Sequence, residues 1–214
     1  ADLTDSGINF SDFAESKVAN SVRDGKNYGV PYDSNTVIAC YRTDYLEKAG
    51  YTIDDLTDIT WDRFIEIGKD VLDKTGMPML TNVQGEPDLL NMILQSAGIS
   101  VFNEDGSIAI ADNEGLKEAM NVYMELINAG ILQEQTDWSG YQGSINNGSV
   151  VGTINGSWIC ATIKSTDQAE QEGNWAVTNM PKLNDYPGAT NYSAQGGSTW
   201  AVSSSSKNYD LAVD

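Results

Sequence analysis

The chain has 214 residues, of which 40% are hydrophobic and 20% charged, so it can bury a sizeable core as one large or two modest domains. Its formal net charge is -19, from 31 acidic and 12 basic residues, which argues against nucleic acid or an anionic membrane surface as partner, because either needs a basic face. The absence of histidine excludes histidine-based catalytic triads and most zinc sites.

Two cysteines, Cys40 and Cys160, lie on apolar segments far apart in the sequence. A disulfide between them requires that the fold bring them together; otherwise they are two buried free thiols. No apolar run approaches the length of a membrane span, and no signal peptide opens the chain. The localisation must therefore be inferred from other features.

In the first fifty residues, apolar spacing predicts an amphipathic helix over 10–23, and a short extended piece follows at 28–32. The run 36–41 is the clearest strand. It is apolar on both faces, as the inner strands of α/β sheets are. A short helix over 45–49 ends at Gly50.

Four helices are predicted in the middle of the chain, over 61–74, 87–97, 114–129 and, with interruptions by glycine, 138–147. The first has the clearest boundaries, with Thr60 as N-cap and Gly76 after its end. The turn at 103–107 carries carboxylates but lacks the alternating oxygen ligands of a calcium loop, so we predict no metal there.

The segment 150–164 predicts a strand that runs into a helix, with Ser157 as N-cap and Trp158 in the first helical turn. In an α/β sheet this turn would lie just outside the carboxyl end of the strand, where such sheets bind ligands. An indole there can cover the apolar face of a sugar, while backbone N–H groups at the helix start meet hydroxyls or anions. The alternative is a hairpin turn at Asn155-Gly156 with Trp158 filling a core.

Two further strands are predicted at 174–180 and 199–202, and a final helix begins near the end of the chain. Strands alternate with helices from residue 28 onward, which predicts an α/β class with an at least partly parallel sheet. Both ends read as cut from a longer chain.

Four motifs, in this order and spacing, carry a resemblance to a known family. They are Tyr28-Gly29-Val30-Pro31-Tyr32-Asp33-Ser34-Asn35-Thr36 leading to the segment 41–50, then Thr60-Trp61-Asp62-Arg63-Phe64, then Ile154-Asn155-Gly156-Ser157-Trp158, and Gln195-Gly196-Gly197-Ser198 before Trp200-Ala201-Val202. With them the chain resembles the extracellular solute-binding proteins of bacterial carbohydrate ABC importers, the group that includes maltose-binding protein. Members of that group are considerably longer, so the chain resembles a central fragment.

The resemblance implies a periplasmic-binding-protein-like (type II) fold, a mixed sheet flanked by helices. Residues 1–34 would end the first lobe and cross over, 35–191 would form the second lobe, and 192–214 would return to the first. The implied protein is a monomer without cofactor, metal or catalytic residues. It would bind a sugar in a cleft between the lobes and deliver it to an ABC transporter permease, with no nucleic-acid partner. It would lie outside the cytoplasm, lipid-anchored to the outer face of the membrane or periplasmic.

Ligand-binding roles follow from the resemblance residue by residue. Trp158 is similar to the family's stacking tryptophan. Asn35 lies where the family often presents a polar ligand contact, although a turn cap also explains it. Asp33 either contacts the ligand beside Tyr32 or fixes the crossover backbone through an Asx-turn.

The other candidates are Gly196, Gly197, Ser198, Trp138 and Asp88. The two glycines would let backbone N–H groups approach a ligand next to Ser198, although a hinge also explains them. By order in the family pattern, Trp138 and Asp88 fall at the cleft edge of the second lobe. A carboxylate stands at 88 where maltose-type binders often place an aromatic residue, and it could accept sugar hydroxyls.

Two other functions compete with this interpretation. Abundant carboxylates suit a carbohydrate-active enzyme, although nothing in the sequence singles out a catalytic pair. The same fold could also bind a non-sugar solute such as a polyamine or an anion, because a fold alone does not select its ligand.

Overall fold

The computed structural model describes residues 1–166 and 168–214. The chain divides into two compact units, one formed by Ala1–Asn35 with Gly196–Asp214 and the other by Thr36–Gln195. We call them the small unit and the large unit. The lobe boundaries at residues 34 and 191 stay a prediction.

The helices of the described residues are α1 (Glu15–Ala19), α2 (Thr43–Ala49), α3 (Trp61–Thr75), α4 (Asp88–Ser96), α5 (Glu114–Asn128), α6 (Trp138–Asn146), α7 (Ile159–Lys164) and α8 (Tyr209–Val213). Short 3-10 helices cover Phe10–Asp12, Ile53–Leu56 and Ala169–Gln171. The strands are β1 (Val22–Arg23), β2 (Lys26–Asn27), β3 (Val30–Pro31), β4 (Val37–Arg42), β5 (Leu80–Val83), β6 (Leu132–Gln135), β7 (Gly152–Gly156), β8 (Trp175–Thr178) and β9 (Thr199–Trp200).

The large unit contains a three-stranded antiparallel sheet in the order β7-β4-β8. Its central strand β4 pairs on both edges, so that Cys40 lies opposite Thr153 of β7 and Val177 of β8. Five of the six residues of β4 are buried. The prediction of an inner strand covered on both faces is therefore confirmed.

The parallel part of the predicted α/β fold is a separate pair, β5 and β6, in which Leu80 lies opposite Leu132. Neither strand was among those predicted from the sequence. Helices α3, α4 and α5 pack with both groups of strands around one buried cluster. The class is a mixture of helix and sheet, as predicted.

Helix α3 supplies two of the three largest fully buried side chains, Trp61 and Phe64, whose rings are 5.5 Å apart in an edge-to-face pair. The Thr60 side chain accepts a hydrogen bond from the Arg63 amide, and Gly76 follows with a φ of +73°, so both predicted caps are confirmed.

The small unit corrects one predicted element. The helix expected over 10–23 is instead a 3-10 turn, the five-residue helix α1 and the strand β1. Asp24 and Gly25 have φ of +51° and +74°, and they join β1 to β2 as a two-residue hairpin. An Asp-Gly pair favours this turn, and the pairing draws Val22 into a strand in spite of its helical spacing.

Candidate functional site

The predicted strand-to-helix join is present in the large unit. All five residues of β7 are buried, and two residues separate the end of the strand from the start of α7. Trp158 occupies the N-cap position with φ -60° and ψ -22°. Asn155 and Gly156 belong to β7 and lie opposite Ile38 and Val37 of β4, so the alternative of a hairpin turn at these residues is wrong.

Two details of the join differ from the prediction. Ser157 is not the N-cap; its amide instead donates to the Thr36 carbonyl at 2.9 Å. Helix α7 has six residues, and its first turn already bonds the amides of Cys160 and Ala161 to the carbonyls of Ser157 and Trp158. These two amides are therefore occupied, which removes them from the predicted contact with hydroxyls or anions.

Gly156 is required by the position of the tryptophan. A Cβ at residue 156 would overlap the carbonyl oxygen of Gln195 and would lie 2.5 Å from the indole Nε1 of Trp158. The indole therefore lies directly against the end of β7, and only glycine leaves room for it.

Three aromatic rings, Trp138, Tyr141 and Trp158, form what we call the aromatic cluster. Trp138 and Tyr141 are three residues apart on α6, and their rings stack at 4.8 Å with an interplanar angle of 20°. The rings of Trp138 and Trp158 are 5.6 Å apart and tilted by 48°. Trp138 is 43% exposed, Trp158 is half-buried and Tyr141 is buried.

The structure thus brings together two of the predicted ligand residues, Trp138 and Trp158, and adds Tyr141, which the sequence analysis missed. The i, i+3 spacing of Trp138 and Tyr141 on one predicted helix is the signal from which Tyr141 could have been identified. Asp137 fixes the start of α6, because its side chain accepts a hydrogen bond from the Gly140 amide at 2.8 Å.

A buried polar network lies beneath the cluster and joins α6 to β7. The Tyr141 hydroxyl is 2.6 Å from Thr153 Oγ1 and accepts a hydrogen bond from Asn155 Nδ2 at 3.0 Å. Asn155 Oδ1 in turn accepts from the Gly156 amide at 2.9 Å. Burial raises the pKa of Tyr141 above its ordinary value, so the phenol stays neutral and can donate to Thr153.

Asp88 is the first residue of α4 and is half-buried. Within residues 1–166 and 168–214, its carboxylate has no hydrogen-bond or ion-pair partner in the protein. Burial is the main cause of the raised pKa of Tyr141, and the negative charge of Asp88 makes a smaller contribution in the same direction. Direct contact with a ligand stays a prediction for this residue.

In the small unit, Asp33 joins two chain segments. Its carboxylate accepts hydrogen bonds from the Ser198 amide and from the side-chain amide of Asn35. The Tyr32 amide also donates to the Ser198 carbonyl at 2.9 Å. Asp33 therefore holds the backbone in place, although through Ser198 rather than through a local Asx-turn. Ligand contact by Asp33, Asn35 and Ser198 stays a prediction.

The small unit also exposes an aromatic pair. Tyr32 and Trp200 are each 66% exposed, and their rings are 5.4 Å apart in an edge-to-face arrangement. Gly196 and Gly197 have φ of +106° and +107°. Residues with a Cβ adopt this backbone conformation only with strain, so both positions favour glycine. Lys17 Nζ would lie 2.9 Å from a Cβ at Gly197, so this ammonium group, which the sequence analysis missed, is next to the double glycine.

The described part of the chain has neither a cluster of metal-ligating side chains nor a membrane-spanning helix. No group of three or more cysteine, aspartate or glutamate side chains is placed there to hold a metal ion. None of the helices formed by those residues has the length and apolar character needed to cross a membrane.

Comparison with known proteins gives consistent results. The sequence pattern of a family described as bacterial extracellular solute-binding protein matches residues 1–214. The chain is 42% identical to a lactose-binding protein of Rhizobium radiobacter over 214 residues, which is all of this chain and 50% of the relative. It is 22% identical to an arabinooligosaccharide-binding protein of Halalkalibacterium halodurans over 207 residues, or 94% of this chain and 45% of that protein.

Solved structures show the same fold. The ABC transporter associated binding protein from B. animalis subsp. lactis Bl-04, in complex with β-1,6-galactobiose, has a TM-score of 0.83 at 23% identity, covering 99% of this chain and 52% of that one. The GacH receptor of Streptomyces glaucescens has a TM-score of 0.79 at 22% identity, covering 100% and 54%. The chain spans about half the length of the curated relatives that it matches.

Proposed function

The chain belongs to the bacterial extracellular solute-binding proteins across all 214 residues, and on that premise we propose that it is the central part of a longer protein that binds a short oligosaccharide. Proteins of this family act outside the cytoplasm. We propose that the complete protein delivers its sugar to the membrane permease of an ABC importer.

The observation that carries the proposal is the aromatic cluster. Its two indoles, with centroids 5.6 Å apart and planes tilted by 48°, present two partly exposed ring surfaces at the carboxyl end of β7. A sugar ring has an apolar C–H face that packs on such a surface, while its hydroxyls remain available to polar neighbours. Asp88, which has no hydrogen-bond or ion-pair partner in the described part of the chain, is suited to accept those hydroxyls in charge-assisted hydrogen bonds.

Lactose is the first ligand to test. Over the aligned residues this chain is 42% identical to a lactose-binding protein, whereas it is 22% and 24% identical to the arabinooligosaccharide-binding relatives. We therefore propose a galactose-containing disaccharide as the ligand class, with arabino-oligosaccharides as the second candidate.

Several finer features belong to the same proposal. The segments 31–35 and 192–198 act as the crossovers between the lobes, and the second lobe is residues 35–191. The positive φ of Gly196 and Gly197 supports a hinge there, because hinge residues absorb large dihedral changes. We infer a monomer that works by binding without catalysis and that is lipid-anchored to the outer face of the cell membrane or periplasmic.

The test is calorimetric titration of the full-length protein with lactose, an arabino-oligosaccharide and a polyamine. We expect saturable binding of lactose and a loss of affinity of about thirtyfold in Trp158→Ala, because truncating a central aromatic contact costs about 2 kcal/mol. Trp158→Phe keeps a flat ring and should lose less.

Phe102→Ala is the matched control. Phe102 is 57% exposed, lies in a hairpin in which it pairs with Ile108, and is outside the cluster, so its removal should leave the affinity unchanged. Binding of the polyamine but of no sugar, or equal affinity of wild type and Trp158→Ala, would refute the proposal. Hydrolysis of a chromogenic galactoside by the purified protein would instead favour the enzyme alternative.

A further inference from the structure

The two cysteines, 120 positions apart in the sequence, meet in the fold. Cys40 is buried in the centre of β4, in one cluster with Ile159 and Ile163 of α7. Cys160 is the second residue of α7 and is half-buried. Both side chains line the same cavity, which has a volume of about 610 Å³.

The two thiols are also neighbours in this cavity. The pKa of the Cys40 thiol is raised to about 12, mainly by burial and in smaller part by the nearby Cys160. Cys160 is next to Ile159 and three residues before Ile163 on α7, and both isoleucines pack in the same buried cluster as Cys40. Of the alternatives open at the sequence level, the fold therefore meets the condition for a disulfide, although both cysteines are free thiols in this structure.

We propose that Cys40 and Cys160 are a disulfide-forming pair, oxidised by a low-molecular-weight disulfide outside the cytoplasm, and that the bond joins α7 covalently to the central strand β4. Disulfides form and persist in oxidising, extracytoplasmic compartments. The cavity gives a small oxidant a route to the thiols.

The exchange proceeds in two steps, and Cys160 reacts first because it is the more exposed thiol. Its thiolate attacks one sulfur of the small disulfide, which forms a mixed disulfide and releases one small thiol that takes up the proton lost by Cys160. Cys40 then loses its proton and attacks the Sγ of Cys160, which forms the protein disulfide and releases the second small thiol. Two protein thiols are oxidised, and one small disulfide is reduced to two thiols.

The bond would fix α7, whose N-cap residue Trp158 belongs to the aromatic cluster, because Cys160 is two residues from Trp158. This consequence for ligand binding rests on the proposed function, whereas the bond itself does not. If the disulfide forms in a protein that binds no sugar, the disulfide proposal stands and only the proposed sugar-binding function is refuted.

The test equilibrates the reduced protein with oxidised and reduced glutathione, blocks the remaining thiols by alkylation, and maps the peptides without reduction. We expect loss of both thiols, one cross-linked peptide pair joining Cys40 to Cys160, and no covalent dimer. The loop closed by the bond is long, so the Tm should rise on the order of 10 °C.

Survival of both thiols in excess oxidised glutathione, separate glutathionylation of each cysteine, or a covalent dimer would overturn the proposal. Cys160→Ser tests the order of reaction, because Cys40 is then a single buried thiol. We expect Cys40 in this variant to react at least tenfold more slowly than the pair does. An unchanged rate of Cys40 loss would refute the role of Cys160 as the first thiol to react.

Discussion

Replacing Tyr141 with phenylalanine removes one oxygen atom from beneath the aromatic cluster. The ring and its stack on Trp138 remain, but Thr153 Oγ1 loses its contact at 2.6 Å and Asn155 Nδ2 loses its acceptor at 3.0 Å. Both partners are buried, with Thr153 at 0% and Asn155 at 5% exposure. Water therefore cannot replace the lost oxygen without opening the structure.

The expected cost follows from this burial. A buried polar group left without a partner costs about 1–3 kcal/mol, and the substitution leaves two such groups next to each other. We expect Tyr141→Phe to lower the free energy of unfolding by about 2–3 kcal/mol, and the Tm by about 5–10 °C for a chain of this size.

The assay is chemical denaturation followed by circular dichroism, with Tyr192→Phe as the matched control. Tyr192 is 63% exposed, so removing its hydroxyl should change stability by less than about 0.5 kcal/mol. Adding Thr153→Val to Tyr141→Phe should recover part of the lost free energy of unfolding, because the buried Thr153 hydroxyl is then no longer left without its partner. Equal stability of Tyr141→Phe and the wild type would refute the argument that this network joins α6 to β7.

Two further changes test other parts of the large unit. Gly156→Ala should destabilise the protein by about 1–3 kcal/mol and shift the tryptophan emission, because the new methyl group overlaps the carbonyl oxygen of Gln195 and the indole of Trp158. Thermal unfolding measures the loss of stability, and fluorescence measures the shift in emission. Burial opposes ionisation of Asp44, but hydrogen bonds and charge from the buried Arg42 outweigh it and hold the pKa of Asp44 below its usual range. A lowered folded-state pKa adds stability above the unfolded pKa of about 3.9, so the advantage of wild type over Asp44→Asn should be present at pH 7 and shrink as the pH falls below about 4. A pH-independent difference in denaturation midpoint between these two proteins would contradict the assignment.

Features that depend on neighbouring residues could be predicted from the sequence. The limits of α3 follow from Thr60 and Gly76, and the buried character of β4 follows from its continuous apolar run. The position of Trp158 at a strand-to-helix join was predictable for the same reason, because a β-branched run precedes it and a helical pattern follows.

Features that depend on distant partners could not be predicted. Strands β5 and β6 are four residues each, and in β6 only Leu132 is buried while Gln133 and Glu134 are exposed. Their pairing spans 52 positions, and nothing within either four-residue segment indicates its partner. In the same way, the sequence could relate Trp138 to Tyr141 on one helix, but only the folded chain brings Trp158 to them.

The tryptophan at the join is held from several directions. Gly156 lets the indole lie against the strand end, and Tyr141 ties α6 to β7 beneath it. Cys160, the proposed disulfide partner of Cys40 in β4, lies two residues farther along the chain in α7. A contact surface that is already fixed loses little conformational entropy when a ligand packs on it, so rigidity contributes directly to affinity. Tyr141→Phe leaves every ring in place and loosens only their support. If the aromatic cluster is preorganised in this way, Tyr141→Phe should weaken sugar binding measurably, but by less than Trp158→Ala, which removes the contact itself.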